Sequence, residues 1–119
     1  VDERCEIYIK GMSDGLIDVI SNCPKAYGIE LLCRTMSPEV IICDEIGAGE
    51  QDAVINAQNT GVHFIASAHG ESIMGLRRRP FVNKMLEAGL FEIAVRLNAD
   101  ENGFHCEIER IADKERVVP

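Results

Sequence analysis

The sequence predicts an α/β domain whose mostly parallel sheet finishes in an antiparallel hairpin. Three observations predict it. Val40 to Cys43 and Val62 to Ser67 are short, almost wholly apolar runs, the pattern of strands buried on two faces. Between them, Glu50 to Thr60 carries Ala53, Val54 and Ala57 at helical spacing, and Gly61 follows where a helix needs a C-terminal cap. Near the end, Asn102-Gly103 separates two stretches of alternating character, a hairpin signal. Helices on both faces of such a sheet give three layers.

The remaining elements follow in order. Gly28 to Met36 places Ile29, Leu32, Cys33 and Met36 on one face of a helix that Ser37-Pro38 closes. Pro80 suits the first position of another helix, with Phe81, Val82, Met85 and Leu86 as its apolar stripe and Gly89 at its end. Phe91 to Leu97 reads as a strand, and Phe104, Cys106 and Ile108 alternate with polar residues in the next. Residues 113–119 read as a frayed tail. The 119 residues suit one domain, and 46% hydrophobic with 27% charged residues is ordinary for a globular protein.

Charge and cysteine usage narrow the function. A net charge of -8 argues against non-specific nucleic-acid binding, which relies on Lys and Arg neutralising phosphates. The five cysteines have no CxxC spacing and form no zinc-like pattern with histidine, so they read as reduced thiols in a cytosol. No apolar run is long enough to span a bilayer.

The segment richest in chemistry is Val40-Ile41-Ile42-Cys43-Asp44-Glu45, an apolar strand delivering two acids to its carboxyl end. That is the pattern of a Walker B strand. Ligands of open α/β sheets bind at that edge. The first acid holds magnesium, usually through water, and the second orients or deprotonates the attacking water. A solvated strand end has the same pattern. The next strand ends in Ser67 and His69, which a parallel sheet brings beside Asp44 and Glu45, where they can contact a γ-phosphate or the attacking water. The alternative is a polar strand cap. His63 reads as a packed, hydrogen-bonded histidine inside its strand, and His105 as solvent-facing. Arg77-Arg78-Arg79 suits either an arginine finger, acting on a neighbouring subunit's phosphate, or a basic surface turn. Lys25 reads as an ordinary loop lysine, with a phosphate or an acidic neighbour as its functional alternative. Asp2-Glu3-Arg4 is a further acidic cluster at a strand end. A GxxxxGK(S/T) phosphate loop is not in the sequence.

Several blocks together resemble the stage III sporulation protein AA family. They are Val1-Asp2-Glu3-Arg4-Cys5-Glu6-Ile7, Cys23-Pro24-Lys25, Met36-Ser37-Pro38-Glu39-Val40-Ile41, Asp44-Glu45-Ile46-Gly47 and Ala66-Ser67-Ala68-His69-Gly70. Leu76-Arg77-Arg78-Arg79-Pro80 and Gly89-Leu90-Phe91-Glu92 add to the likeness, which spans most of residues 1–111. The resemblance implies a RecA-like P-loop ATPase similar to hexameric secretion motors, with ATP and Mg2+ as cofactors. Its partners would be other copies of itself in a ring and membrane-embedded sporulation channel proteins. It would work in the cytoplasm, linking mother cell to forespore. By the same likeness Asp2 and Glu3 match an acidic box, Asp44 and Glu45 match Walker B, and His69 matches a histidine box. Glu45, His69 and Glu3 are then the catalytic candidates. Asp44, Ser67, Arg77 and Arg79 are the nucleotide-binding candidates, and Asp44 is the metal ligand. Gly47-Ala48-Gly49 and Cys5 depart from the family's usual residues. Because the chain opens at Val1 and contains no phosphate loop, residues 1–119 read as one partial ATPase domain, with the first strand and the loop upstream. A non-catalytic scaffold on a degenerate ATPase fold is the alternative.

Overall fold

A computed structural model describes residues 1–9, 11 and 17–111. The frayed tail expected over 113–119 lies outside the described residues. The chain divides into two compact units, residues 1–69 and 70–119.

The first unit is built on a parallel strand pair. Helix α1 (Lys25–Thr35) leads to β1 (Val40–Ile42). A 3₁₀ turn (Ala48–Glu50) then runs into α2 (Gln51–Asn59), and β2 (His63–Ile65) returns beside β1. The register pairs Val40 with His63, Ile41 with Phe64 and Ile42 with Ile65. At the head of α2 the Gly47 N–H donates to the Glu50 carboxylate at 2.8 Å, satisfying a donor that the turn leaves free. Gly61 ends the helix with φ 95°, a left-handed conformation that glycine adopts without a Cβ clash. The Val1 nitrogen donates to the Ile42 carbonyl at 2.7 Å, and Asp2 bridges Ser21 in parallel. The sheet itself has two strands, and the Asp2–Ser21 pairing is an isolated bridge outside it.

The core of this unit is one-sided. Ile41 and Phe64, paired in register, are buried together with Ile29, Leu32, Val54 and Ala57. Each of these side chains larger than alanine contributes about 1.5–3 kcal/mol by leaving water. The opposite face, made by Val40, Ile42, His63 and Ile65, is exposed, with Ile65 at 59%. The expectation of strands buried on two faces is thereby corrected: the described strands are buried on one face. The apolar runs were long enough for either arrangement, and only the packing partners decide between them. His63 points to the open face and is exposed, not packed, because an odd–even shift of one residue from Phe64 turns it away from the helices.

The second unit begins with a short helix α3 (Ile73–Leu76), followed by α4 (Pro80–Glu87). Ser72 caps α3 by accepting from the Gly75 N–H at 3.0 Å. The unit ends in a hairpin of β3 (Ile93–Asp100) and β4 (Gly103–Arg110), paired from Ile93–Arg110 to Asp100–Gly103. Glu101 and Asn102 form its tip. Asn102 has no positive φ, whereas Gly103 has φ 111°. The mirror-image turn that Asn-Gly favours is therefore not formed, and Gly103 supplies the left-handed residue from the strand's first position. The Asp100 carboxylate holds the tip, accepting from the Asn102 N–H at 2.8 Å and pairing with His105 at 2.9 Å. His105 is exposed, as its sequence position implied.

Candidate functional site

Parallel pairing puts the carboxyl ends of β1 and β2 at the same edge, so the residues after Ile42 and Ile65 meet there. Asp44 and Glu45 leave β1, while Ser67 and His69 follow β2. His69 Nε2 lies 3.7 Å from Glu45 Oε2, an ion-pair separation longer than a hydrogen bond. Both side chains are more than half exposed, so the pair contributes little to stability. Ser67 is exposed at the same edge.

Lys25 organises the inner part of this rim. It opens α1, directly after Pro24, rather than lying in a loop. Its ammonium donates to the Glu45 carbonyl and lies 3.2 Å from Asp44 Oδ1 and 3.4 Å from Glu3 Oε2. Burial alone would lower the Lys25 pKa, but Asp44 and Glu3 outweigh it and hold the pKa above the usual lysine range. Asp44 Oδ1 is shielded from solvent and accepts no hydrogen bond, so the ammonium satisfies it by charge and not by a directed N–H. Lys25 is thus a helix residue with acidic partners and not an ordinary loop lysine. The overlooked signal was Pro24, which can stand at the threshold of a helix and so moves the start of α1 back to Lys25.

Asp2 has a different task from its neighbour Glu3. Its carboxylate is 4% exposed and accepts from the backbone N–H groups of Glu6 at 2.8 Å, Ile7 at 3.0 Å and Tyr8 at 2.9 Å. The bond from Tyr8, against the penalty of burial and with those from Glu6 and Ile7, holds its pKa below the usual carboxylate value. Asp2 thus fastens the chain turn after residue 2, and Glu3 is the acid that reaches Lys25.

The arginines belong to the second unit. Arg77 follows α3 and Arg79 precedes α4, both half-buried, with Arg78 exposed between them. Arg78 and Arg79 line a cleft of about 600 Å³ with Glu71, Ser72 and Met74. The Cys43 thiol, beneath the rim, is buried, and desolvation pushes its pKa up to about 11, so it stays protonated and unreactive.

A magnesium ion needs hard oxygen donors and keeps several waters, so one or two carboxylates suffice. Asp44 Oδ1, screened and without a hydrogen bond, meets that requirement, with Glu3 nearby. Among the described residues, no three His, Cys, Asp or Glu side chains cluster closely enough to hold a metal on their own.

These features define an α/β protein that gathers acids, a lysine and a histidine at the carboxyl edge of a parallel strand pair. The chain belongs to the family described as "Sporulation stage III, protein AA", which it matches over residues 1–117. It is 44% identical over 99 residues to stage III sporulation protein AA of Bacillus subtilis (strain 168), an alignment covering 77% of this chain. That alignment covers 32% of the relative, so the chain spans about a third of the curated protein it matches. No solved structure matches the chain. Among the described residues, no helix is long and apolar enough to cross a membrane.

Proposed function

We propose that this chain carries the metal-holding and water-activating half of a sporulation ATPase. The whole protein would couple ATP hydrolysis to powering or assembling a channel between mother cell and forespore. The observation that carries the reading is the Glu45–His69 juxtaposition at the edge where Asp44 also emerges. Membership of the sporulation family supports the biological setting.

In this reading Asp44 holds magnesium, largely through water, and the ion neutralises phosphate charge when bound. Glu45 accepts a hydrogen bond from the attacking water and takes its proton as the water oxygen bonds to the γ-phosphorus, the bond from that phosphorus to the β–γ bridging oxygen breaks, and ADP leaves with the electron pair. His69, within reach of Glu45, orients that carboxylate and contacts the γ-phosphate. Glu3 adds negative charge to the metal side of the rim, and Ser67 donates to phosphate oxygen. Arg77 or Arg79 supplies a guanidinium to the phosphate of a neighbouring copy in a ring. The RecA-like three-layer sheet, the phosphate loop and the ring belong to the full-length protein under this proposal, as do its docking on membrane-embedded sporulation channel proteins and its cytoplasmic location.

The test is Glu45→Gln in the full-length protein. Turnover should fall by about 100-fold or more while ATP binding persists, because the glutamine keeps the shape and loses the base. Wild-type protein without ATP turnover refutes the proposal. The second reading, a non-catalytic interaction module, is favoured by the open apolar face of the hairpin, where Leu97, Phe104 and Ile108 are exposed. It predicts no turnover for Glu45→Gln to remove.

A further inference from the structure

The ammonium of Lys25 touches acceptors from three separate stretches of chain: Glu3, Asp44 and the Glu45 backbone. Its side chain is only 12% exposed. Nothing in α1 itself favours a cation there. Lys25 is the helix's first residue, where the backbone dipole repels positive charge, and the first turn holds no acidic residue to offset it. The lysine is held there by carboxylates from outside its own helix. Asp44 Oδ1, the oxygen nearest to it among the carboxylates, accepts no hydrogen bond. The pair is therefore a charge contact at 3.2 Å, and the directed bond that a competing cation would break is the one from the ammonium to the Glu45 carbonyl.

We propose that Lys25 is a resident cation of the acidic rim, holding Asp44 and Glu3 together and competing with a divalent metal ion for Asp44. The inference rests on the reading of Asp44 as the metal-holding acid, but not on ATP hydrolysis. Metal entry at Asp44 requires the ammonium to withdraw, and the flexible four-carbon stem of lysine permits that movement while its backbone stays in α1. The Glu45 carbonyl, released by the same withdrawal, becomes available as a further oxygen. Lys25 is on this account a positioning residue that couples metal occupancy to the start of α1.

The experiment is a titration of the 119-residue chain with Mn2+ as the probe, with free ion followed by electron paramagnetic resonance. Lys25→Met should bind Mn2+ about tenfold more tightly than wild type, the order expected when one like charge leaves a partly buried site. Lys25→Arg, which keeps the charge, should bind like wild type. Adding Asp44→Asn to Lys25→Met should abolish the gain. Lys25→Met that binds no more tightly than wild type, with an unchanged circular dichroism spectrum, overturns the proposal. If that variant unfolds, lysine-selective NMR of the wild-type chain decides instead. The Lys25 Nζ signal should shift on Mg2+ addition and stay still in Asp44→Asn, and a signal unmoved in wild type overturns the proposal. Loss of the ATPase reading would leave these Mn2+ results in place, so the two failures are distinguishable.

Discussion

The parallel pair β1–β2 and the antiparallel hairpin β3–β4 are built from similar apolar residues yet differ in what covers them. The parallel pair buries Ile41 and Phe64 beneath helices and exposes Val40, Ile42 and Ile65. In the hairpin every residue of both strands except Ala94 is exposed. Ile93, Val95, Leu97 and Ala99 of β3 share a side with Phe104, Cys106, Ile108 and Arg110 of β4, and Phe104 is 93% exposed. Its opposite side carries Arg96, Asn98, Asp100, His105, Glu107 and Glu109. Strand formation and burial are thus separate events. The hairpin's strands are fixed by local pairing through a tight turn, whereas the parallel strands exist only because α2 brings them together across 20 residues of chain.

That difference is testable, and the largest effect should come from the covered side of the parallel pair. Phe64→Ala should lower the urea-unfolding free energy by about 3–5 kcal/mol, the loss typical of a truncated core phenylalanine. Leu97→Ser, on the hairpin's open face, should change it by less than about 0.5 kcal/mol. Equal losses at the two sites would show that the hairpin face is covered, and would erase the contrast.

A second prediction sharpens the account of the first unit's edge. Asp2→Asn removes the charge that accepts three backbone N–H bonds. The folded Asp2 carboxyl titrates below its unfolded value of about 3.9. Its stabilisation is therefore complete above that value and is lost as pH falls through the folded pKa. Wild type should lose stability in that acid window, and Asp2→Asn should be weaker at neutral pH with a flatter acid limb. Denaturant melts from pH 2 to 7 check this, and identical acid limbs would contradict the loop-fastening role.

The smallest effect concerns the thiols. Exposed Cys5 and Cys106 should react with a chromogenic disulfide reagent within the mixing time at pH 8. Cys43, buried with its pKa near 11, should react only as the first unit opens. Rapid reaction at Cys43 in native buffer would mean that the rim's underside is open to solvent.

Legibility in the sequence followed the same division. The hairpin was readable because Phe104, Cys106 and Ile108 alternate and Gly103 marks the turn, although the tip formed one residue earlier than Asn-Gly suggested. The parallel pair, α2 and its Gly61 cap were readable from periodicity, and the placement of Asp44, Glu45, Ser67 and His69 at one edge followed from parallel pairing alone. Lys25 was not, since its three partners come from residues 3, 44 and 45, and no local pattern encodes contacts at such separations. The one-faced burial of β1 was equally hidden, because an all-apolar run fits one covered face or two. His63 shows the consequence: its neighbour Phe64 is buried, and nothing in the sequence around them says which face the helices take.

The central claim is that Glu45 and His69 act as one unit at the edge of the parallel pair. A double-mutant cycle on ATP turnover in the full-length protein tests it most directly, comparing Glu45→Gln, His69→Gln and the double variant. Residues that work together give strongly non-additive losses. The account predicts that the double variant is no slower than Glu45→Gln alone. Losses that multiply in full would mean that the two side chains act independently despite standing 3.7 Å apart.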